Sequence, residues 1–147
     1  MEELSGEVSL GRLLLQSARE ASALVCGRLR ARGHAIRFAQ ASLVSGLEEG
    51  GARISTLAER GEVSKQAMGI LVRELEEAGY VERAADPLDA RAVLVRPTAR
   101  GLELVRDVRA AMAEVESELR DILGEGEVRT VRHALAELLR HAREQRG

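Results

Sequence analysis

Aromatic side chains are almost missing from this chain: Phe38 and Tyr80 stand alone among 147 residues. A core must therefore come from Leu, Val, Ala, Ile and Met, and such a set favours helices. Cysteine is reduced to Cys26, which excludes an intramolecular disulfide framework and fits a reducing cytosol. Lysine also occurs once, at Lys65, so arginine supplies nearly all of the 22 basic residues, against 24 acids and a net charge of -2. Bulk positive charge, the usual footprint of a protein that grips phosphates, is absent. No apolar run approaches the ~20 residues that cross a bilayer. Met1 to Gly11 lacks the basic start and apolar stretch of a secretory signal, so the chain is expected to be soluble and cytoplasmic with no membrane partner. Catalytic patterns are lacking as well: no nucleophile beside a base, no glycine-rich phosphate loop and no metal-ligand spacing. His133 and His141 lie eight apart with no cysteine or acidic cluster nearby. No enzyme, metal or cofactor is implied.

What is present is helical rhythm. At 45% apolar, the chain has enough for a real core. Leu10, Leu13, Leu14, Ala18, Ala21, Leu24, Val25 and Leu29 mark a long amphipathic helix stopped by Gly33. Ile36, Ala39, Leu43, Val44 and Leu47 repeat the pattern in a second helix that ends in Glu48-Glu49-Gly50-Gly51. Near the far end, Val105, Val108, Met112, Val115, Leu119 and Ile122 keep a heptad rhythm behind a cap at Thr98. After Gly124 and Gly126, Val128, Val131, Leu135, Leu138 and Ala142 continue it in a last helix. So much apolar surface on a terminal hairpin predicts a second copy to cover it. Leu10, Leu13, Leu14, Val115, Leu119, Ile122, Val131, Leu135 and Leu138 are the expected dimerisation residues.

Between these lobes lies the most informative segment. Ser55 reads as the N-cap of a short helix through Arg60, Gly61-Glu62 as a turn, and Ser64 as the cap of a helix closed by Gly79. Met68, Leu71, Val72, Leu75 and Ala78 would share its inner face; Lys65, Gln66, Gly69, Ile70 and Arg73 would face outward. Tyr80 to Arg83 and Arg91 to Arg96 read as strands around an Asp86-Pro87-Leu88-Asp89 turn. Helix, turn, helix and β-hairpin is the layout of a winged helix-turn-helix, whose second helix fits the DNA major groove. The expected fold is thus mainly α with a small β-hairpin wing. Residues 35–101 form the DNA-binding module, and 1–34 with 102–147 form a helical dimerisation region. Residues 53–101 hold eight bases and eight acids, so DNA contact depends on how charge is distributed.

Ile54-Ser-Thr-Leu-Ala-Glu-Arg, Val63-Ser-Lys-Gln-Ala-Met and Leu75-Glu-Glu-Ala-Gly-Tyr-Val-Glu-Arg closely resemble the MarR family of bacterial transcriptional regulators. Its most specific piece is the wing, Asp86-Pro-Leu-Asp-Ala-Arg91 followed by Val93-Leu-Val-Arg-Pro-Thr-Ala-Arg-Gly101. Gln40, Leu43, Val44 and Leu47 look like the family's second helix, so motifs cover roughly residues 36–105. The resemblance implies a homodimer on a palindromic operator, often loosened by a small phenolic ligand or an oxidant. The chain departs from the pattern at Gly61-Glu62, where an apolar residue and then glycine are usual, and at Pro97, where leucine is common.

On this reading Ser64 and the free N–H groups of the next turn meet a phosphate, and Lys65 adds charge. Gln66 pairs with an adenine edge, Arg73 with guanine or phosphate, Gly69 allows close backbone approach, and Ile70 shares that face. Arg91 enters the minor groove, held by Asp89 through a charge-assisted bond, with Arg83 assisting. The plainer reading makes the helix face merely solvated, and Asp89 and Arg91 a surface ion pair closing the hairpin. For a small aromatic or anionic ligand, Phe38 is the candidate wall and Arg28, His34 and Arg37 the candidate anion holders, although such residues are ordinary on helix surfaces. Two alternatives stand beside the ligand-released repressor: a winged scaffold for a protein partner, and a redox-sensing regulator using Cys26.

Overall fold

A computed structural model describes residues 8–147; part of the Met1 to Gly11 stretch lies outside them. The element order is α1 (Leu10–Ala31), α2 (Phe38–Ser45), β1 (Ala52–Arg53), α3 (Ile54–Gly61), α4 (Lys65–Glu77), β2 (Val81–Asp86), β3 (Asp89–Pro97), α5 (Ala99–Leu123) and α6 (Glu125–Arg146). This is the winged helix-turn-helix layout, mainly α with a small antiparallel sheet ordered β1-β3-β2. The chain divides into two compact units, one up to Ala111 and one from Met112 to Gly147.

In the first unit, three helices end the same way. At α1 the Gly33 N–H bonds to the Arg30 carbonyl (3.0 Å) and the His34 N–H to the Leu29 carbonyl (2.9 Å). At α4 Gly79 bonds to Glu76 (3.0 Å) and Tyr80 to Leu75 (2.9 Å). This Schellman arrangement needs a left-handed residue, and Gly33 (φ 92°) and Gly79 (φ 82°) supply it without strain. At α3, Glu62 bonds to Glu59 (3.2 Å) and Val63 to Ala58 (3.1 Å), but here Glu62 itself takes φ 54°. Glu62 is therefore a side-chain-bearing residue in the position where glycine fits best.

The residues just past two of these ends meet in the core. Buried His34 places Nδ1 2.8 Å from the Tyr80 hydroxyl and Nε2 2.8 Å from Asp107 Oδ2, while Arg100 Nη2 donates to the Tyr80 hydroxyl at 3.2 Å. Arginine only donates and an ionised carboxylate only accepts. For a neutral imidazole the chain then runs one way: Arg100 to Tyr80, Tyr80 O–H to Nδ1, Nε2–H to Asp107. Arg100 also lies 4.5 Å over the Tyr80 ring. Leu29, Val44, Val72, Leu75, Val95 and Leu104 are all fully buried in the core.

Thr98 joins α5 to the end of α4. Its N–H donates to the Tyr80 carbonyl (3.1 Å), its hydroxyl donates to the Gly79 carbonyl (2.6 Å) and accepts from the Gly101 N–H (3.1 Å). Gly101 is buried so tightly that a Cβ there would lie 2.2 Å from the Tyr80 carbonyl oxygen.

Several local expectations are corrected. Ser55 is the second residue of α3 rather than its N-cap, because Arg53 takes the extended conformation that starts the helix. Arg53 is extended because Ala52 and Arg53 pair with Val95 and Leu94 as β1, a strand too short to show alternation. α2 is shorter than its apolar pattern: buried Ile36 precedes it and Leu47 follows it. Ala78 caps α4 and is exposed. The wing strands are longer than expected, leaving only Pro87 and Leu88 as the turn.

In the second unit, Glu116 on α5 accepts from Arg120 (2.6 Å) and from Arg132 on α6. No residue of α6 is buried. Among the described residues no helix is long and apolar enough to cross a membrane.

Candidate nucleic-acid interface

The Ser64 hydroxyl accepts the Ala67 N–H at 3.1 Å and starts α4 as its sequence predicts. Met68, Val72 and Leu75 are buried, which turns the opposite face outward. There Lys65, Gln66 and Arg73 are exposed, Ile70 is 51% exposed, and the space beyond Gly69 is open. The predicted reading face is thus assembled on one side of one helix.

The neutral composition conceals an uneven charge pattern. Glu74 is held by Arg37 and by Gln40 (2.9 Å), Glu76 by Arg83 (3.0 Å), Glu82 by Arg96 (2.8 Å), and Asp86 by Arg53 (2.7 Å). Four acids are thereby neutralised by arginines. Among the described residues, Lys65, Arg73 and Arg91 have no carboxylate partner in ion-pair range, so their charge is available to phosphates. Arg83, expected to assist Arg91, is paired with Glu76 through its Nε (3.0 Å).

The wing is built differently from the sequence reading. Pairing runs evenly from Val81↔Pro97 to Ala85↔Val93 and then jumps to Asp86↔Asp89. Ala90, Arg91 and Ala92 therefore bulge out of the ladder with no partner on β2. A bulge re-aims a side chain, and here it presents Arg91 to solvent. Asp89 does accept from Arg91, but from its backbone N–H (3.0 Å), so the guanidinium is not held by that carboxylate as expected.

The brace that the sequence reading missed is Asp86. Its Oδ2 accepts from Arg53 Nε (3.0 Å) and Nη2 (2.7 Å), and its Oδ1 from the Leu88 N–H (2.9 Å). The Leu88 backbone bond first, then the Arg53 guanidinium, holds the Asp86 carboxyl below the usual carboxylate range. The Asp-Pro turn signal marked the position; nothing local pointed to Arg53, 33 residues away.

Residues 36–92 match the sequence model of the MarR family. An uncharacterised HTH-type transcriptional regulator of Mycobacterium bovis is 34% identical over 88 residues, 59% of this chain and 62% of that protein. The chain thus spans less than two thirds of that relative's length. The reduced form of MarR from E. coli has a TM-score of 0.78 and 25% identity, over 90% of this chain and 97% of that one. In residues 36–92 and in its fold the chain is similar to MarR proteins. A mutant MarR from E. coli complexed with operator DNA gives a TM-score of 0.73 at 25% identity, over 88% of this chain and 93% of that one. The curated relatives that it matches are HTH-type transcriptional regulators.

The winged module also carries an apolar pocket of about 390 Å³ between α2, α3 and α4, lined by Leu43, Leu57, Arg60, Val63, Met68 and Leu71 among others. None of the four expected ligand residues lines it. Both ring nitrogens of His34 are engaged, Arg37 is paired with Glu74, Phe38 is partly exposed at the start of α2, and Arg28 already interacts with its surroundings. A volume of this size suits a small ligand. Its signal in the sequence was only the apolar spacing of three short helices, which says nothing of the gap between them.

Cys26 is 8% exposed, within the core of α1. His133 and His141 are exposed on α6. Of the expected dimerisation residues, Leu10, Leu13, Leu119, Ile122, Val131, Leu135 and Leu138 are exposed and Leu14 half-buried, whereas Val115 is already buried within the single chain.

Proposed function

We propose that this protein is a cytoplasmic, homodimeric transcriptional repressor that binds a palindromic operator and releases it when a small ligand binds. The observation that carries the reading is the coincidence of two things: an exposed α4 face with uncommitted Lys65, Gln66 and Arg73, and a bulge that frees Arg91 on the same module. Residues 35–101 serve as the DNA-binding module, with α4 in the major groove and the wing in the flanking minor groove. Residues 1–34 and 102–147 serve as the dimerisation region. A helix without one buried residue and a row of exposed leucines support a second copy as their cover. The apolar pocket beneath α3 and α4 is the better place for a small aromatic effector, since filling it would alter the angle at which the two helices meet.

Selection of duplexes from a random pool at stated salt tests this. A palindrome with half-sites about one helical turn apart is expected. On that duplex Arg91→Ala and Gln66→Ala should each weaken binding by about 1–3 kcal/mol while light scattering still reports a dimer. Full affinity in both variants would mean that another surface reads DNA.

A further inference from the structure

Leu88 is 92% exposed, more than any other large apolar residue described. Single exposed leucines are ordinary on protein surfaces. This one is not ordinarily placed, because it occupies the tip of a two-residue turn whose backbone is locked. Pro87 fixes φ on one side. Asp86 accepts the Leu88 N–H with one oxygen while Arg53 grips the other. Asn, Asp and Gly are the residues that such turns favour, and leucine contributes nothing to turn chemistry. The fold thus holds an apolar side chain outward on a rigid mount, in the same hairpin whose bulge frees Arg91.

We propose that Leu88 is an apolar minor-groove contact that makes the wing selective for A·T steps flanking each half-site. The inference rests on the DNA-binding reading above. The walls of the minor groove are sugar C–H surfaces, and its floor at A·T pairs carries no exocyclic amine, whereas each G·C pair puts an N–H₂ group there. An apolar tip loses water against the first floor and is blocked by the second. Apolar side chains also wedge between base steps in this groove when rigidly presented. Arg91 supplies charge for the same narrow, strongly negative groove. Arginine brings the hairpin to it, and leucine reads what lies at the bottom.

The test uses the full chain and the duplex recovered by selection, titrated across a salt series. Leu88→Ser is expected to melt as wild type, because the side chain touches little, and to bind about tenfold more weakly, ~1.4 kcal/mol. Its salt dependence should be unchanged, whereas Arg91→Ala should lower the slope by about one ion. Exchanging the flanking A·T steps for G·C should cost wild type about tenfold and Leu88→Ser little, and inosine·cytosine, which lacks the amine, should restore wild-type binding. Equal affinity of Leu88→Ser and wild type, or equal sensitivity of both to the G·C exchange, overturns the assignment while leaving DNA binding intact. Failure of wild type to retard any selected duplex removes both.

Discussion

Replacing Gly101 by alanine probes the junction that positions α4. The added Cβ would sit 2.2 Å from the Tyr80 carbonyl oxygen and 3.2 Å from Pro97 Cβ. Ordinary contact begins near ~3.4 Å, so α5 must withdraw by roughly 1 Å. That movement stretches the Thr98 N–H bond to the same carbonyl, now 3.1 Å, in a place where neither Tyr80 nor Gly101 can turn to water. Overpacking costs about 1–3 kcal/mol. A buried carbonyl losing its donor costs about 1–3 kcal/mol more. Alanine recovers ~1 kcal/mol through its better helix propensity. The net loss is about 3 kcal/mol, which for a chain of this size lowers Tm by roughly 6–12 °C. Thermal melts followed by circular dichroism at matched protein concentration would measure it. Gly69→Ala is the control: the same change within α4, with open space around the new methyl, should raise stability by up to ~1 kcal/mol. If the two variants shifted Tm in the same direction, or Gly101→Ala melted within about 1 °C of wild type, the close approach would not be what fixes α5.

Three further outcomes follow from the same geometry. Glu62→Gly removes a side chain from a left-handed position and should stabilise the fold by about 0.5–1 kcal/mol, the relief exceeding the entropy cost of glycine; a lower Tm would contradict it. Tyr80→Phe keeps the ring beneath Arg100 but leaves His34 Nδ1 without its donor, so urea denaturation should show a loss of about 1–3 kcal/mol with an unchanged m-value. Asp86 has a lowered folded pKa, so its contribution is fully present above the unfolded carboxylate value near ~4 and is lost as pH falls through the folded value. Hydrogen exchange at the Leu88 amide should therefore accelerate at acid pH beyond its intrinsic rate, and Asp86→Asn should remove that extra dependence.

Signals contained within a few residues were legible, and pairings across the chain were not. Ser64, Gly79, Thr98 and Gly33 act where a cap or stop was expected, since each needs only its near neighbours. The inner and outer faces of α4 followed from periodicity in the same way. Ser55 misled because its local chemistry suits an N-cap, yet a strand partner forty residues on fixed Arg53 as extended instead. His34 looked like an anion holder because its partners, Tyr80 and Asp107, lie 46 and 73 residues away. Formal charge misled for a related reason: the ion pairs that silence four acids join different elements, so counting could not separate committed arginines from free ones.

The unpaired run Ala90, Arg91 and Ala92 separates two properties that hairpins usually tie together. In a regular ladder, inserting or deleting one residue flips every later side chain to the other face of the sheet. Here Val93 to Pro97 keep their alignment however many residues lie in the protrusion. Loss of one alanine, or gain of another, would shorten or extend the arm on which the guanidinium is carried while the packing of Val95 stayed as it is. Under the proposed function, operator preference could then drift by length as well as by substitution, with the scaffold left untouched.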